Sequence, residues 1–199
     1  MIFPSTTATP RFVLFSFRSG ISYHVIVFNI ISGFLLASPY LGAAPRPFPG
    51  YRLFLKKRVL RIVPPYYLAL LVFAILNVLC FDVPLSSALQ TLMQHLLFVN
   101  SLDYSNMYLN LSHFWYIGLL AQFYVLFPLF LRWFQTAGSS RAALSLIAGS
   151  WVAWILLDQL FPTLSGFTSG TLENMMHFNL PGRLPEFAVG MWLAALQRH

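Results

Sequence analysis

The sequence contains few charged residues. Only 9% of its 199 residues are charged, whereas 58% are hydrophobic, and a typical soluble domain carries about 25% charged residues. Because so few charges could not cover the surface of a soluble globule of this size, lipid must solvate much of the protein surface. We therefore expect an all-α, polytopic bundle of about four to five transmembrane helices.

Cysteine and acidic residues are scarce as well. Cys80 is the only cysteine, which excludes an intrachain disulfide and a multi-cysteine metal site. We expect it to be a small core residue, because it ends an apolar run. The five acidic residues are scattered, which argues against paired-carboxylate catalysis. The sequence also lacks GxxxxGK[ST], HExxH and GxSxG motifs. We expect no metal site and no tightly bound cofactor.

Long apolar runs mark the candidate membrane spans. They cover residues 21–38, 62–81, 114–131, 142–161 and 184–196. The first four approach the roughly 20 residues needed to cross the hydrocarbon core. The fifth is shorter, so we expect it to begin earlier, near Phe178, or to be re-entrant. Residues 1–20 are expected to form an N-terminal segment that does not span, ahead of a membrane domain over 21–199.

Two connecting segments have distinct patterns. Leucines at helical spacing within residues 85–99 predict an amphipathic helix lying in the membrane interface. The other segment is a predicted loop over residues 46–61, just before Pro64 and Pro65. It contains six of the twelve Lys and Arg residues, namely Arg46, Arg52, Lys56, Lys57, Arg58 and Arg61. The two prolines are expected in the first turn of the span that follows, where their missing N–H donors cost little.

The distribution of positive charge predicts the orientation. If residues 46–61 are cytosolic, nine of the twelve cations lie inside and three outside, which satisfies the positive-inside rule. The cations lie between apolar spans rather than along a soluble face. The net charge of +7 therefore indicates membrane orientation and an anionic lipid or ligand, and we expect no nucleic-acid partner.

One candidate site is basic. Arg58 and Arg61 are three residues apart and share a helix face, with Lys57 beside them. Guanidinium groups are suited to bidentate recognition of phosphate. The same cations could instead anchor the chain on anionic headgroups.

The other candidate site lies near the predicted outer ends of the spans. It comprises His24, His113, His177, Arg183 and Glu186, of which His113, Arg183 and Glu186 are the best candidates. Ionisable groups within a span cost about 2.5–3.5 kcal/mol by insertion scales and by default indicate function. Arg183 and Glu186 are three residues apart and can pair on one helix face. Such a pair could also serve only to hold the bundle together.

Four segments, in this order, resemble the integral-membrane acyltransferase 3 family. They are ISGFLL (31–36), FLKKRVLRIVPPYY (54–67), HFWYIGLLAQFYVLFP (113–128) and RLPEFAVGM (183–191). The basic-Pro-Pro-Tyr block and the H-x-W…QFY-x-x-x-P block together are specific. The resemblance covers about residues 25–198, so the membrane domain would be part of an acyltransferase 3 domain.

The resemblance implies a membrane-bound acyltransferase. It would move an acyl group, often acetyl, from a cytosolic donor such as acyl-CoA to a hydroxyl of an extracytoplasmic carbohydrate or envelope molecule. Acyl-CoA would be the co-substrate, the lipid bilayer and the acceptor the other partners, and the cell (inner) membrane the location.

The resemblance also implies roles for the candidate residues. Lys57, Arg58 and Arg61 would hold the phosphates of the donor. His113, Arg183 and Glu186 would position the acceptor or handle its proton. Gln122 and Tyr124 would line the pocket as hydrogen-bonding residues.

The sequence departs from the family pattern in its first helix and at Leu120. Family members usually begin with a helix that carries an Arg and the His thought to be catalytic, and His24 is too close to Ser32 to take that role. Many members have Glu where this chain has Leu120, and the family continues through further spans. We therefore expect a fragment, a truncated reading frame or a degenerate relative.

Two other functions stay open as alternatives. One is a transporter or flippase component with discontinuous helices, and the other is a noncatalytic scaffold.

Overall fold

The computed structural model describes residues 22–80, 83–98, 114–165 and 178–198. The predicted N-terminal segment, 1–20, lies outside the described residues. Within them the chain forms six helices and no strand: α1 Ser22–Leu41, α2 Tyr51–Cys80, α3 Leu85–Leu96, α4 Trp115–Ala137, α5 Ser139–Ser165 and α6 Leu180–Leu196. The all-α prediction is confirmed.

Four helices are long and apolar enough to cross a membrane. They are α1 from Tyr23, α2, α4 and the Ser139–Leu157 part of α5. Their outward faces carry large apolar side chains, such as Leu68 and Leu79 of α2, which are 65% and 74% exposed. The 17 residues of α6 rise about 26 Å, slightly less than a hydrocarbon core of about 30 Å. The multi-pass membrane prediction is therefore confirmed.

The first, fourth and sixth helices run in the same direction. The Ser32 hydroxyl, in the middle of α1, lies 3.3 Å from the hydroxyl of Tyr116 at the start of α4. The Tyr40 ring, near the end of α1, lies 5.9 Å from the ring of Phe127, further along α4. At the same end, Arg198 donates from Nη2 to the Tyr40 carbonyl oxygen at 3.4 Å. Both α4 and α6 are thus parallel to α1.

The other two long helices run in the opposite direction. Phe54, near the start of α2, stacks on Phe127 in the middle of α4, with centroids 5.3 Å apart, whereas Tyr66, further along α2, contacts Phe114 just before α4 begins. Trp133 near the end of α4 donates from Nε1 to the Ser145 hydroxyl near the start of α5, at 2.8 Å. This alternation is the arrangement expected of a chain that threads a bilayer repeatedly.

The alternation brings the positive charges together. One half of the bundle contains the start of α2, the junction of α4 and α5, and the ends of α1 and α6. That half contains nine of the ten Lys and Arg residues in the described part of the chain: Arg46, Arg52, Lys56, Lys57, Arg58, Arg61, Arg132, Arg141 and Arg198. Arg183 lies in the other half. The charge asymmetry that the sequence predicted is therefore present in three dimensions.

The basic segment is mostly helical, which differs from the predicted loop. α2 begins at Tyr51 and runs without a break through Pro64 and Pro65. The prediction that these prolines lie in the first turn is wrong, because the helix starts more than three turns earlier. Proline removes the N–H donors that the carbonyls of Leu60 and Arg61 would otherwise receive, a loss that membrane helices tolerate when neighbouring groups compensate.

Two glycines allow α1 and α6 to cross closely. A Cβ atom added to Gly33 would overlap the carbonyl oxygen of Phe187, and one added to Gly190 would overlap the carbonyl oxygen of Ile30. The ring of Phe123 on α4 stacks on Phe187, with centroids 4.1 Å apart. Small residues at a membrane helix crossing permit such backbone contact. These three helices form the tightly packed core of the bundle.

The predicted amphipathic helix is present as α3. It packs against α2, where the Tyr66 hydroxyl donates to the His95 carbonyl oxygen at 3.0 Å. His95 is buried, whereas Leu85 and Leu89 are exposed. An apolar face left exposed in this way is typical of a helix lying in the membrane interface. Cys80, which we expected in the core, is exposed at the end of α2.

Candidate functional site

The three predicted donor-binding cations line one cavity. This basic cavity has a volume of about 280 Å³ and lies between the first half of α2 and the end of α1. Its lining residues are Tyr40, Pro49, Phe54, Lys57, Arg58 and Arg61. The helix supplies the arrangement, because residues three or four positions apart share a face. The structure therefore brings together the cations that the sequence selected.

Aromatic rings hold Arg58 at the wall of the basic cavity. Its Cζ atom lies 5.6 Å from the centroid of Phe54 and 5.7 Å from that of Tyr124. Phe54 is buried, and Arg58 is half-buried. Cation–π contacts of this kind stabilise a guanidinium while leaving its N–H edge available. A preorganised guanidinium loses less entropy when it binds an anion.

No described carboxylate neutralises the basic cavity. Glu186 is the only acidic residue whose side chain lies in the described part of the chain, and it pairs with Arg183. Lys57 and Arg61 are exposed at the cavity. Their positive charge is therefore available to an anionic ligand.

A second polar cluster lies at the crossing of α1 and α6. Arg183 Nη1 donates to Glu186 Oε1 at 2.8 Å, and Asn29 donates from Nδ2 to the other carboxylate oxygen, Oε2. Arg183 and Asn29 are buried. The pair predicted from the spacing is present, and a third residue from α1 joins it.

Polar groups of α1 surround this second cluster. Among the described residues, Asn29 Oδ1 is buried and has no hydrogen-bond partner. One helical turn further on, Ser32 contacts the Tyr116 hydroxyl of α4. A buried carbonyl oxygen without a donor is costly. Asn29 Oδ1 is therefore a hydrogen-bond acceptor that the described contacts leave unused.

The two predicted pocket residues occupy different places. Gln122 donates from Nε2 to Asn179 Oδ1 at 2.8 Å and accepts from the Leu180 backbone N–H at 2.9 Å. It thereby fixes the first turn of α6, which carries Arg183. Tyr124 contacts Arg58 and lines an apolar groove between α2 and α4. The roles proposed for these residues stay predictions.

One predicted site residue, His113, lies outside the described residues, as does the weaker candidate His177. The sequence did not predict three residues of the polar cluster, namely Asn29, Ser32 and Tyr116. Asn29 is an amide inside an otherwise apolar span, and this alone could have marked it, because such residues are expensive in a membrane. Neither Ser32 nor Tyr116 has a comparable signal in the sequence.

The two clusters lie at different depths along the helices. Tyr116 borders the polar cluster and Tyr124 borders the basic cavity. Eight residues separate these tyrosines on α4, a rise of about 12 Å. The arrangement thus consists of a basic end and a polar, hydrogen-bonded end, about 12 Å apart along one helix.

Comparison with protein families gave a match over the whole sequence. A family model described as an acyltransferase domain, of the acyltransferase 3 type, matches residues 1–199. Searches of curated proteins and of solved structures returned no significant match.

Proposed function

The chain belongs to the acyltransferase 3 family, and from this premise we propose a specific transfer. An acyl group, often acetyl, moves from a cytosolic donor such as acyl-CoA to a hydroxyl of an extracytoplasmic carbohydrate or envelope molecule. The observation that carries the proposal is the convergence of Lys57, Arg58 and Arg61 on one cavity.

In this proposal the basic cavity binds the donor. Acyl-CoA carries several phosphate groups, and three neighbouring cations provide matching charge. The planar guanidinium groups of Arg58 and Arg61 can each donate two parallel hydrogen bonds to a phosphate, while Lys57 acts as a point charge. The location of the cavity in the cation-rich half of the bundle supports entry from the cytosol. The corresponding membrane would be the cell (inner) membrane.

The acceptor would bind at the other cluster. Its hydroxyl oxygen attacks the thioester carbonyl carbon, the C–S bond breaks, and the thiol leaves with a proton. We assign positioning of the acceptor and proton handling to His113, Arg183 and Glu186. Arg183 and Asn29 fix the orientation of the Glu186 carboxylate, which supports a preorganised site. Asn29 Oδ1 would accept a hydrogen bond from the alcohol.

The separation of the two clusters supports this division of roles. A donor whose phosphates bind at Arg58 must extend its thioester about 12 Å along α4 to reach Tyr116. A long, flexible arm between phosphates and thioester, as in acyl-CoA, suits this geometry. Acetyl phosphate, which lacks such an arm, does not.

The transporter alternative loses one of the two features that favoured it. That feature was helices broken at proline and glycine, but α2 runs unbroken through Pro64 and Pro65, and α4 through Pro128. The other feature, the lack of the family's usual catalytic His in this sequence, is unaffected. The cations alone would also be consistent with a noncatalytic scaffold.

A transfer assay tests the proposal against both alternatives. The full chain is reconstituted in vesicles and given acyl-CoA labelled in its acyl group, with a carbohydrate acceptor on the opposite side. We expect label on the acceptor. Movement of the acceptor across the membrane without labelled product would indicate transport. A scaffold would give no labelled acceptor and no movement of acceptor, and it would bind acyl-CoA no better than empty vesicles do.

A further inference from the structure

An apolar groove runs between α2 and α4, next to the basic cavity. Its volume is about 160 Å³, and its walls include Leu55, Val59 and Ile62 from α2 and Ile117, Leu120 and Val125 from α4. Along α4, residues 117–125 span about 12 Å. Because α2 and α4 are antiparallel, the groove follows the axes of both helices. Its long dimension is therefore parallel to lipid chains in a bilayer.

The groove is charged at only one end. Arg58 lines both this groove and the basic cavity. At the other end Phe98 lines the groove, with its ring stacked on Tyr66 at a centroid distance of 5.4 Å. Val59 and Val125 are exposed at the sides. The groove is thus open to the bilayer along its length, basic at one end and bordered by an aromatic ring at the other.

We propose that this groove binds one hydrocarbon chain of an anionic phospholipid whose phosphate contacts Arg58. The chain lies against the apolar walls, and the phosphate receives hydrogen bonds from the guanidinium. Arg58 has five N–H donors, so it can contact a lipid phosphate from the groove and a second anion from the basic cavity. This inference does not rest on the proposed acyl transfer.

The geometry favours a phospholipid over the acyl chain of a donor. In a phospholipid only the glycerol and an ester group separate phosphate from hydrocarbon, which suits an apolar groove with Arg58 near one end. In acyl-CoA a long polar arm separates the two. The position of Arg58 about one turn before the long apolar part of α2 also matches the level of a phospholipid headgroup.

Photo-crosslinking in lipid nanodiscs tests the inference. The full chain is assembled in phosphatidylcholine discs with a trace of phosphatidylglycerol that carries a diazirine in one acyl chain. We expect adducts to concentrate in residues 59–63 and 117–125. Labelling by the phosphatidylglycerol probe should exceed labelling by a matched phosphatidylcholine probe about fivefold. In Arg58→Ala the two probes should label the chain equally, whereas Arg52→Ala should preserve the fivefold difference.

Two substitutions that fill the groove complete the test. Leu120→Trp should remove labelling by both probes, and Val59→Trp, at the exposed side of the groove, should do the same if the first variant does not fold. Leu129→Trp is the matched control, because Leu129 lies on the same helix, is 64% exposed and does not line the groove. Labelling spread evenly over all helices, or unchanged in a folded groove-filling variant, would overturn the inference. The inference would also be overturned if long-chain acyl-CoA, but not unlabelled phosphatidylglycerol, displaced the probe from the groove. That result would assign the groove to the acyl donor.

Discussion

The two charged clusters differ in how their charges are compensated. Arg183 is buried, and its charge is matched by Glu186, whose other carboxylate oxygen accepts a hydrogen bond from Asn29. Arg58, Lys57 and Arg61 line an open cavity, and no described carboxylate pairs with them. A buried pair is costly to break, whereas exposed cations contribute little to stability. The first cluster thus supports the fold as well as its candidate role, and the second is available for ligands.

The surrounding packing differs in the same way. Around the polar cluster, α1 and α6 touch backbone to backbone at Gly33 and Gly190. Around the basic cavity, α2 leaves a cavity on one side and an apolar groove on the other, with Arg58 between them. Tight packing fixes groups in place, while open packing admits molecules from the bilayer or the aqueous phase.

The largest effect is expected from breaking the buried pair. Glu186→Ala leaves the Arg183 charge buried without its carboxylate, and we expect a loss of about 3–5 kcal/mol in the free energy of unfolding. Thermal unfolding in detergent micelles measures it. The double variant Arg183→Leu/Glu186→Leu should recover most of that stability, because apolar residues of similar volume can replace a buried pair. Equal loss in both variants would show that the two charges are not coupled.

The next effect concerns donor binding at the open cluster. Arg58→Ala and Arg61→Ala should each weaken acyl-CoA binding about 10- to 100-fold, because each removes a charged hydrogen bond worth about 1.5–3 kcal/mol. Titration of the purified chain with acyl-CoA measures the Kd. Lys56→Ala is the matched control, since Lys56 is exposed on the same helix but does not line the basic cavity. His113→Ala should also leave the Kd nearly unchanged. Equal weakening in all four variants would remove the distinction between donor and acceptor sites.

A smaller effect is expected from overpacking the helix crossing. Gly190→Ala places a methyl group against the backbone of α1, and we expect a destabilisation of about 1–3 kcal/mol. Gly149→Ala is the matched control, because a Cβ atom there would meet nothing within 4 Å. The same thermal unfolding measurement compares the two. A Gly190→Ala protein as stable as the control would mean that α1 and α6 do not cross closely.

Local features of the sequence predicted the parts of the structure that local physics determines. The spans follow from apolar runs, α3 from its leucine spacing, and the Arg183–Glu186 pair from an interval of three residues. The grouping of Lys57, Arg58 and Arg61 follows from the same helical spacing. Each depends only on neighbours within one helix.

Contacts between distant segments could not be predicted in this way. Asn29 and Glu186 are 157 residues apart, and their contact depends on α1 and α6 packing in parallel. The unbroken course of α2 through Pro64 and Pro65 depends on stabilisation from outside the helix. The apolar groove requires α2 and α4 to be placed side by side, with Phe98 at one end of the groove. These features arise from tertiary packing, for which a single sequence contains no local signal.

The most direct test of the account is the side of the membrane on which α2 begins. Cys80, which ends α2, is exposed, and Arg52 is exposed near the start of the same helix. A membrane-impermeant maleimide should label Cys80 of the wild-type chain in right-side-out vesicles. In the Arg52→Cys/Cys80→Ser variant it should label the introduced thiol only in inside-out vesicles. Labelling of that thiol from the exterior would place the basic cavity away from the cytosolic donor and contradict the proposed function.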